Sequence, residues 1–371
     1  MYIPRKWYEL VFNLLSGRFR EAKNRKLSFR CYGFSVIFHS TMQANELQQQ
    51  FFNHLKSVLP PHISMVDELT ELLNISYDSV YRRIRGEKPL ALNEIRQICE
   101  HYHISLDQVL QLQTDTVVFR APDINHDSLP FEDYLKGMLA LLKHFNSFRQ
   151  KKMLYFCKDM TFFHFFLFPE FAAFKTFFWI KTIQNDPAYS QKSFSLSEFP
   201  LEECFSIGQQ IISEYNLIPS VELWNFESIN SSISQIQFYR DSGMFARKED
   251  FEVVVNSLEK TLDHLKLETE KGFKFMPGQS EVAYRASLQF YVNEVVLGSN
   301  TILLELDNIR HSFVTYNVLS YLISKDIRFN EKSFTNFNTI LSRSILISGT
   351  GERERNKFFR SLKERVQNLR T

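Results

Sequence analysis

Between residues 45 and 58 apolar side chains return every three or four positions. Leu47, Phe51, Leu55 and Val58 fall on one side of a helix, which Pro60-Pro61 ends. Residues 64–73 predict a second helix, with Ser64 as N-cap and Asp67 and Glu68 in its first turn. Asn74, a residue that tolerates left-handed backbone, suits a tight turn after it. Ser76 then caps a helix over residues 77–85 that Gly86 closes, with Val80 and Ile84 on its apolar face. A fourth helix follows Lys88-Pro89, with Leu92, Ile95, Ile98 and Cys99 predicted to point inward. A short fifth runs to Leu110. This spacing predicts a compact five-helix domain over residues 42–113.

Residues 114–130 carry two prolines and little periodicity, and read as a linker. Beyond them helical spacing dominates. Helices are expected at 131–148, 153–182, 200–216, 221–241 and 248–271, with Pro169, Pro187 and Pro219 as breaks. The period changes at residues 288–297 and 301–306, which are rich in β-branched and aromatic side chains and flank Gly298-Ser299-Asn300. They predict a β-hairpin. Helices near 311–324 and 352–369 complete the pattern, and no fixed-period repeat is present. The expected fold is mainly α: the five-helix N-terminal domain, then a larger, mostly helical domain over 131–371 with a small hairpin near 288–306.

Composition refines this picture. The chain has 371 residues, is 44% hydrophobic and holds 37 Phe, enough for two or three domains with a large core. Its net charge is only +2, so any surface for nucleic acid must be local. Cys31, Cys99, Cys157 and Cys204 form no CxxC pair, which predicts free thiols in a reducing cytoplasm. Residues 1–41 hold eight Lys/Arg and two Glu, and no apolar core that ends in a small-residue cleavage site. They read either as a basic DNA-binding arm or as an extension ahead of a folded start at Met42. The second is expected, because the helical domain opens directly there.

Residues 153–183 are strongly apolar, but Lys158, Asp159, His164, Glu170 and Lys175 interrupt them and Pro169 breaks them. A buried, Phe-rich helical hairpin is expected rather than a membrane span. His101 and His103 read as surface or packing residues. Ser348-Gly349-Thr350-Gly351-Glu352 lacks the Lys-Ser/Thr of a phosphate loop and reads as a helix start. The last 21 residues, with seven Lys/Arg and three Glu, read as a solvated basic helix. No nucleophile–base set, metal-ligand spacing or carboxylate pair stands out. No enzymatic activity, cofactor or metal is therefore expected.

The block from Leu69 to Leu110 carries the chemistry: LTELLNISYDSVYRRIRGEKPLALNEIRQICEHYHISLDQVL. Through Asn74-Ile75-Ser76, Val80, Gly86 and the run from Leu92 to Leu110 it resembles the lambda-repressor-like, or XRE-type, helix-turn-helix regulators. Two positions depart from that family. Asn74 stands where a Gly is usual, and Arg83 stands where an apolar residue is usual, with Ile84 beside it, which predicts a slightly rotated recognition helix. The resemblance implies that the helix after Ser76 enters the major groove of double-stranded DNA.

The residues support this independently. Ser76, Tyr77, Asp78, Tyr81, Arg82 and Arg85 fall on or near the outward face, where Arg can read a guanine edge with two hydrogen bonds. Ser64 opens a helix whose N–H groups can meet a phosphate. Residues 42–115 hold six Lys/Arg and ten Asp/Glu, yet four of those cations, Arg82, Arg83, Arg85 and Lys88, lie within seven residues. The expected function is a cytoplasmic, sequence-specific DNA-binding transcription regulator. Its expected contacts are Ser64, Ser76, Tyr77, Asp78, Tyr81, Arg82, Arg83, Arg85 and Lys88. It is expected to act as a homodimer whose C-terminal domain dimerises or senses an effector or protein partner. The alternatives are a helical protein-interaction adaptor that does not bind DNA, and a regulator tethered to a membrane by residues 153–183.

Overall fold

A computed structural model of the protein describes residues 44–59, 63–102, 104–110, 117–121, 130–200, 202–279, 286–295 and 297–371. The basic extension, Cys31, Pro60-Pro61, His103 and most of the expected linker lie outside the described residues. The chain divides into two compact units, the first ending at Ile104 and the second starting at Ser105.

Unit 1 contains α1 (Ala44–Val58), α2 (Met65–Leu73), α3 (Tyr77–Ile84) and α4 (Leu92–His101). Phe51, Phe52, Leu55, Leu69, Val80, Ile98 and Ile104 form its buried core. Local chemistry sets the ends of α2 and α3. Ser64 Oγ accepts the Asp67 N–H, Asn74 takes up left-handed backbone (φ 50°), and Ser76 Oγ accepts the Ser79 N–H. Gly86 (φ 77°) reverses the chain, and Glu87 N–H closes on Arg82 O at 2.8 Å. Leu92 does not point inward: it is the first residue of α4, at 82% exposure. Ile98, nearly two turns further on, is buried, and Ile95 and Cys99 are half-buried. The core ends before it reaches the start of α4.

Unit 2 opens with the short α5 (Leu106–Val109) and α6 (Phe131–Asn146). Here the expectation of a mostly helical domain with a small hairpin is overturned. The unit is built on a seven-stranded mixed sheet, in the order β6-β5-β4-β1-β2-β3-β7. Strands β1 (Lys151–Cys157), β2 (Ser220–Trp224) and β3 (Leu288–Val292) are parallel. They are joined through α7 (Pro169–Phe178) and α8 (Glu202–Tyr215), then through α9 (Asn230–Asp241) and α10 (Lys248–Lys271). Strands β4 (Thr301–Leu306), β5 (Ile309–Thr315) and β6 (Tyr321–Ser324) form an antiparallel meander beside β1. After α11 (Ile327–Leu341), β7 (Ile345–Leu346) pairs with the far edge of β3, and α12 (Glu352–Gln367) follows.

Three further expectations fail for identifiable reasons. Residues 288–292 and 301–306 are strands but do not pair with each other; β3 lies between β2 and β7, and β4 between β1 and β5. The real hairpin is β4–β5, whose two-residue turn places Asp307 at φ 48°. Residues 311–324, expected to be a helix, are most of β5 and β6. Residues 153–183 are not a helical hairpin but most of β1, a 3-10 turn at Phe162–Phe166, α7 and a π-turn at Trp179–Ile183. β1 and β2 are covered on both faces. Met153, Tyr155 and Cys157 join the large core that also holds the Phe-rich segment and α10, while Leu154, Val221 and Leu223 pack with Phe334 and Phe337 of α11. A strand buried on both faces reads as a continuous apolar run, without the alternation that marks a half-exposed strand. Among the described residues no helix is long and apolar enough to cross a membrane.

The large core also contains a carboxylate. Glu222 on β2 is fully buried and accepts hydrogen bonds from Tyr215 Oη at 2.5 Å and Trp224 Nε1 at 2.7 Å, with His164 Nε2 at 3.1 Å. Burial pushes its pKa up, but the neighbouring His164 and the three hydrogen bonds outweigh burial and hold it below the ordinary value. Lys274 lies nearby, its Nζ donating to the carbonyls of Tyr215 and Ile218 and to Ser220 Oγ, and burial lowers it to about 7. Glu222→Ala leaves three buried groups without their common acceptor. It is expected to cost on the order of 3–5 kcal/mol, measured as a lower denaturant midpoint for the full chain.

Candidate nucleic-acid interface

The apolar residue that packs α3 is Val80, which is buried. The side chain that shares this inner face is Arg83, at 5% exposure. A guanidinium is tolerated there because all of its character is used. Arg83 Nη2 and Nε meet the two carboxylate oxygens of Glu94 at 2.5 and 3.0 Å, and Nη1 donates to Ser79 O at 3.0 Å. Glu94 Oε2 also accepts the Ala91 N–H at 2.9 Å, which anchors the start of α4. Burial raises the Glu94 pKa, but the hydrogen bonds from Arg83 and Ala91 and the charges of Arg83 and Lys88 hold it below the ordinary carboxyl value. Arg83 therefore holds α3 to α4 and is not presented to solvent. This also accounts for an arginine at a position where an apolar residue was expected: the ion pair takes the place of an apolar contact.

The opposite face of α3 is open. Ser76, Asp78, Arg82 and Arg85 are exposed, as are Tyr77 and Tyr81 at 54% and 48%. Lys88 and Ser64 are exposed as well. The hydroxyl of Tyr77 is hydrogen-bonded to Asp67 at the start of α2, which raises its pKa. Ser76 Oγ donates to Ser79 Oγ. Of the nine residues expected at the interface, eight are solvent-facing and Arg83 is not.

Glu87 was not expected here. Its carboxylate is bidentate on Arg85, at 2.6 and 3.2 Å, and lies 3.8 Å from Arg82. The hydrogen bond from Arg85 is the main reason its pKa is lowered. An exposed pair of this kind contributes little stability, but it occupies two of the cations that would meet phosphates.

Gln48 of α1 was missed too. Its Nε2 donates to Arg83 O at 2.6 Å and to Lys88 O at 2.9 Å, and its Oε1 accepts the Leu90 N–H at 2.9 Å. One amide thus clamps the segment that carries Arg85 and Lys88. Nothing local marks it, since its partners lie 35–42 residues away. Tyr102, at the end of α4, donates to Glu68 of α2 at 3.1 Å, and burial with this bond raises its pKa to about 12. Gln48→Ala is expected to cost ~1–2 kcal/mol of unit 1 stability, read from thermal unfolding.

Residues 56–129 match the BetR domain family model. This is a family of DNA-binding domains of helix-turn-helix type. The match spans the end of α1 and all of α2 to α5, about a fifth of the chain. It includes every exposed residue of the α3 face described above. No curated protein and no solved structure matches the chain. The BetR match therefore speaks for DNA binding by the N-terminal region, and most of unit 2 lies outside it.

Proposed function

We propose that the chain is a sequence-specific transcription regulator of the lambda-repressor-like, XRE type, which inserts α3 of its BetR region into the major groove. The observation that carries this reading is the two-sidedness of α3. Val80 and Arg83 are taken up by the bundle, while Tyr77, Asp78, Tyr81, Arg82 and Arg85 are exposed on one face, the two arginines paired there with the equally exposed Glu87. Arg82 and Arg85 supply guanine-edge or phosphate contacts, and the tyrosines and Ser76 supply base-edge and backbone contacts. Ser64 and Lys88 flank the helix and fix its register on the phosphates. With few cations per reader, two readers on adjacent half-sites are needed, so this reading includes a homodimer. Unit 2 is the dimerising or sensing part of a regulator rather than an enzyme.

The acidic balance of residues 42–115 and the Glu87–Arg85 pair favour a second reading, a helical adaptor that binds protein. A genome-wide map of binding sites separates the two. The regulator reading expects a small set of sites that share an inverted repeat, with half-sites about one helical turn apart. A map with no enriched motif favours the adaptor. Glu87→Gln frees Arg82 and Arg85 and is expected to tighten DNA binding severalfold at low salt, checked by fluorescence anisotropy.

A further inference from the structure

A cleft of about 280 Å³ opens beyond the C-terminal ends of β2 and β3, where open parallel sheets commonly hold ligands. Its apolar wall is Phe226, Val292, Ile345, Ile347 and Phe358. The rings of Phe226 and Phe358 lie 5.2 Å apart. The wall is fixed by hydrogen bonds: Asn293 N–H donates to Trp224 O, Asn293 Nδ2 to Ser344 Oγ, and Ile347 N–H to Phe290 O. Arg343, Lys357, Glu294 and Glu354 complete the lining. Lys357 and Glu354 also line a polar cleft of about 470 Å³ on α12, together with Arg353, Asn356 and Arg360. The two clefts share Glu354 and Lys357, so the apolar wall of the first lies beside the cationic face of α12, and the two are taken together as one groove.

The cations of the C-terminal segment divide sharply. Arg355 donates to the carbonyls of Ile347 and Gly349, Arg365 to Phe226 O, Lys363 to Asp263, and Arg370 to Glu252 and Glu259. These four hold the fold. Arg353, Lys357 and Arg360 are spaced i, i+4, i+7, so they share one face of α12, and all three are exposed, as is Arg343. Among the described residues, none of these four side chains has a hydrogen-bond or ion-pair partner. Against four free cations the groove sets two carboxylates. An apolar cleft that opens at Phe226 and Ile345 beside unpaired cations is complementary to a small molecule with the same division.

We propose that this groove binds a small amphipathic anion, whose apolar or aromatic body lies against the half-buried Phe226 and the exposed Ile345, with the buried Phe358 behind Phe226, and whose anionic head meets Lys357, Arg360 and Arg353. Anilinonaphthalene sulfonate, an aromatic body with one sulfonate, is a direct probe. In a fluorescence titration of the full chain it is expected to saturate a single site. Lys357→Glu/Arg360→Glu is expected to weaken that site at least tenfold, and Ile345→Asp severalfold. These side chains are exposed, so the unfolding temperature should stay unchanged. The charge-matched pair Lys248→Glu/Lys260→Glu, exposed on α10, is expected to leave binding intact.

Competition identifies the head and the body. Phenyl phosphate or octanoate should displace the probe, the better competitor naming a phosphate or a carboxylate head, while inorganic phosphate should not. The proposal is overturned if Lys357→Glu/Arg360→Glu leaves the affinity unchanged, or if both charge-matched pairs weaken it equally. It is also overturned if inorganic phosphate or duplex DNA competes as well as the amphipathic anions. None of these readings depends on α3 binding DNA, so a failure here leaves that function standing.

Discussion

Arg83→Ala is expected to cost unit 1 about 3–5 kcal/mol, a large share of the ~5–15 kcal/mol that a small domain has. Three losses add up. Glu94 keeps its carboxylate in a partly buried site without its bidentate partner, Ser79 O loses its donor, and the contact between α3 and α4 is opened. Glu94→Ala is expected to be similarly harmful, because the buried guanidinium is then left unpaired. The double variant Arg83→Met/Glu94→Met should recover much of the loss, since apolar side chains of similar volume often replace a buried pair well.

The same pair sets an acid limit. The folded pKa of Glu94 lies below its unfolded value of roughly 4.3. Its contribution is therefore present above about pH 4.3 and fades as pH falls through the folded pKa. Glu94→Gln should remove that part of the acid dependence. Thermal unfolding from pH 3 to 7 checks both statements.

The second large effect is on DNA. Arg82→Ala/Arg85→Ala is expected to weaken binding to a cognate site by 2 kcal/mol or more, since an arginine on a base edge contributes about 1–3 kcal/mol. Neither side chain is buried, and their partner Glu87 is itself exposed. The fold should be unaffected, which the unfolding temperature checks. Arg83 makes the contrasting case. The folded Arg83→Met/Glu94→Met variant should keep its DNA affinity, because Arg83 faces the bundle. Two neighbouring arginines, 82 and 83, thus separate interface from core.

The outline of unit 1 was legible because its helices are short and the two central ones, α2 and α3, carry their own end signals. Ser64, Asn74, Ser76 and Gly86 act within a few residues of themselves, and their backbone angles follow from local chemistry. The role of Arg83 was not legible. An arginine beside two others in a basic cluster reads as surface, and only Glu94, eleven residues on, makes it interior. Glu94 did leave a trace, as an acid at the third position of α4, where it can reach back to Ala91. Gln48 left none.

In unit 2 the period misled. Met153–Cys157 of β1 are apolar on successive positions because both faces of the strand are covered, and the following Phe-rich stretch has no alternation to announce a sheet. Pairing between β1 and β2, some seventy residues apart, is decided by packing that no window of sequence contains. The hairpin signal was real but misplaced. Gly298-Ser299-Asn300 leads from β3 into β4 across the sheet, and Asp307-Asn308 makes the turn.

The most direct test of α3 as a DNA reader is fluorescence anisotropy of the full chain on a site selected from genomic fragments. It is repeated at 50 and 200 mM salt with a scrambled site as control. If α3 reads the DNA, the chain prefers the selected site by at least about a hundredfold, a preference that Arg82→Ala/Arg85→Ala abolishes and Arg83→Met/Glu94→Met retains. The salt slope is then shallower by up to about 2 in the first variant. If Arg82→Ala/Arg85→Ala binds the selected site as tightly and as selectively as the unaltered chain, α3 is not the reader.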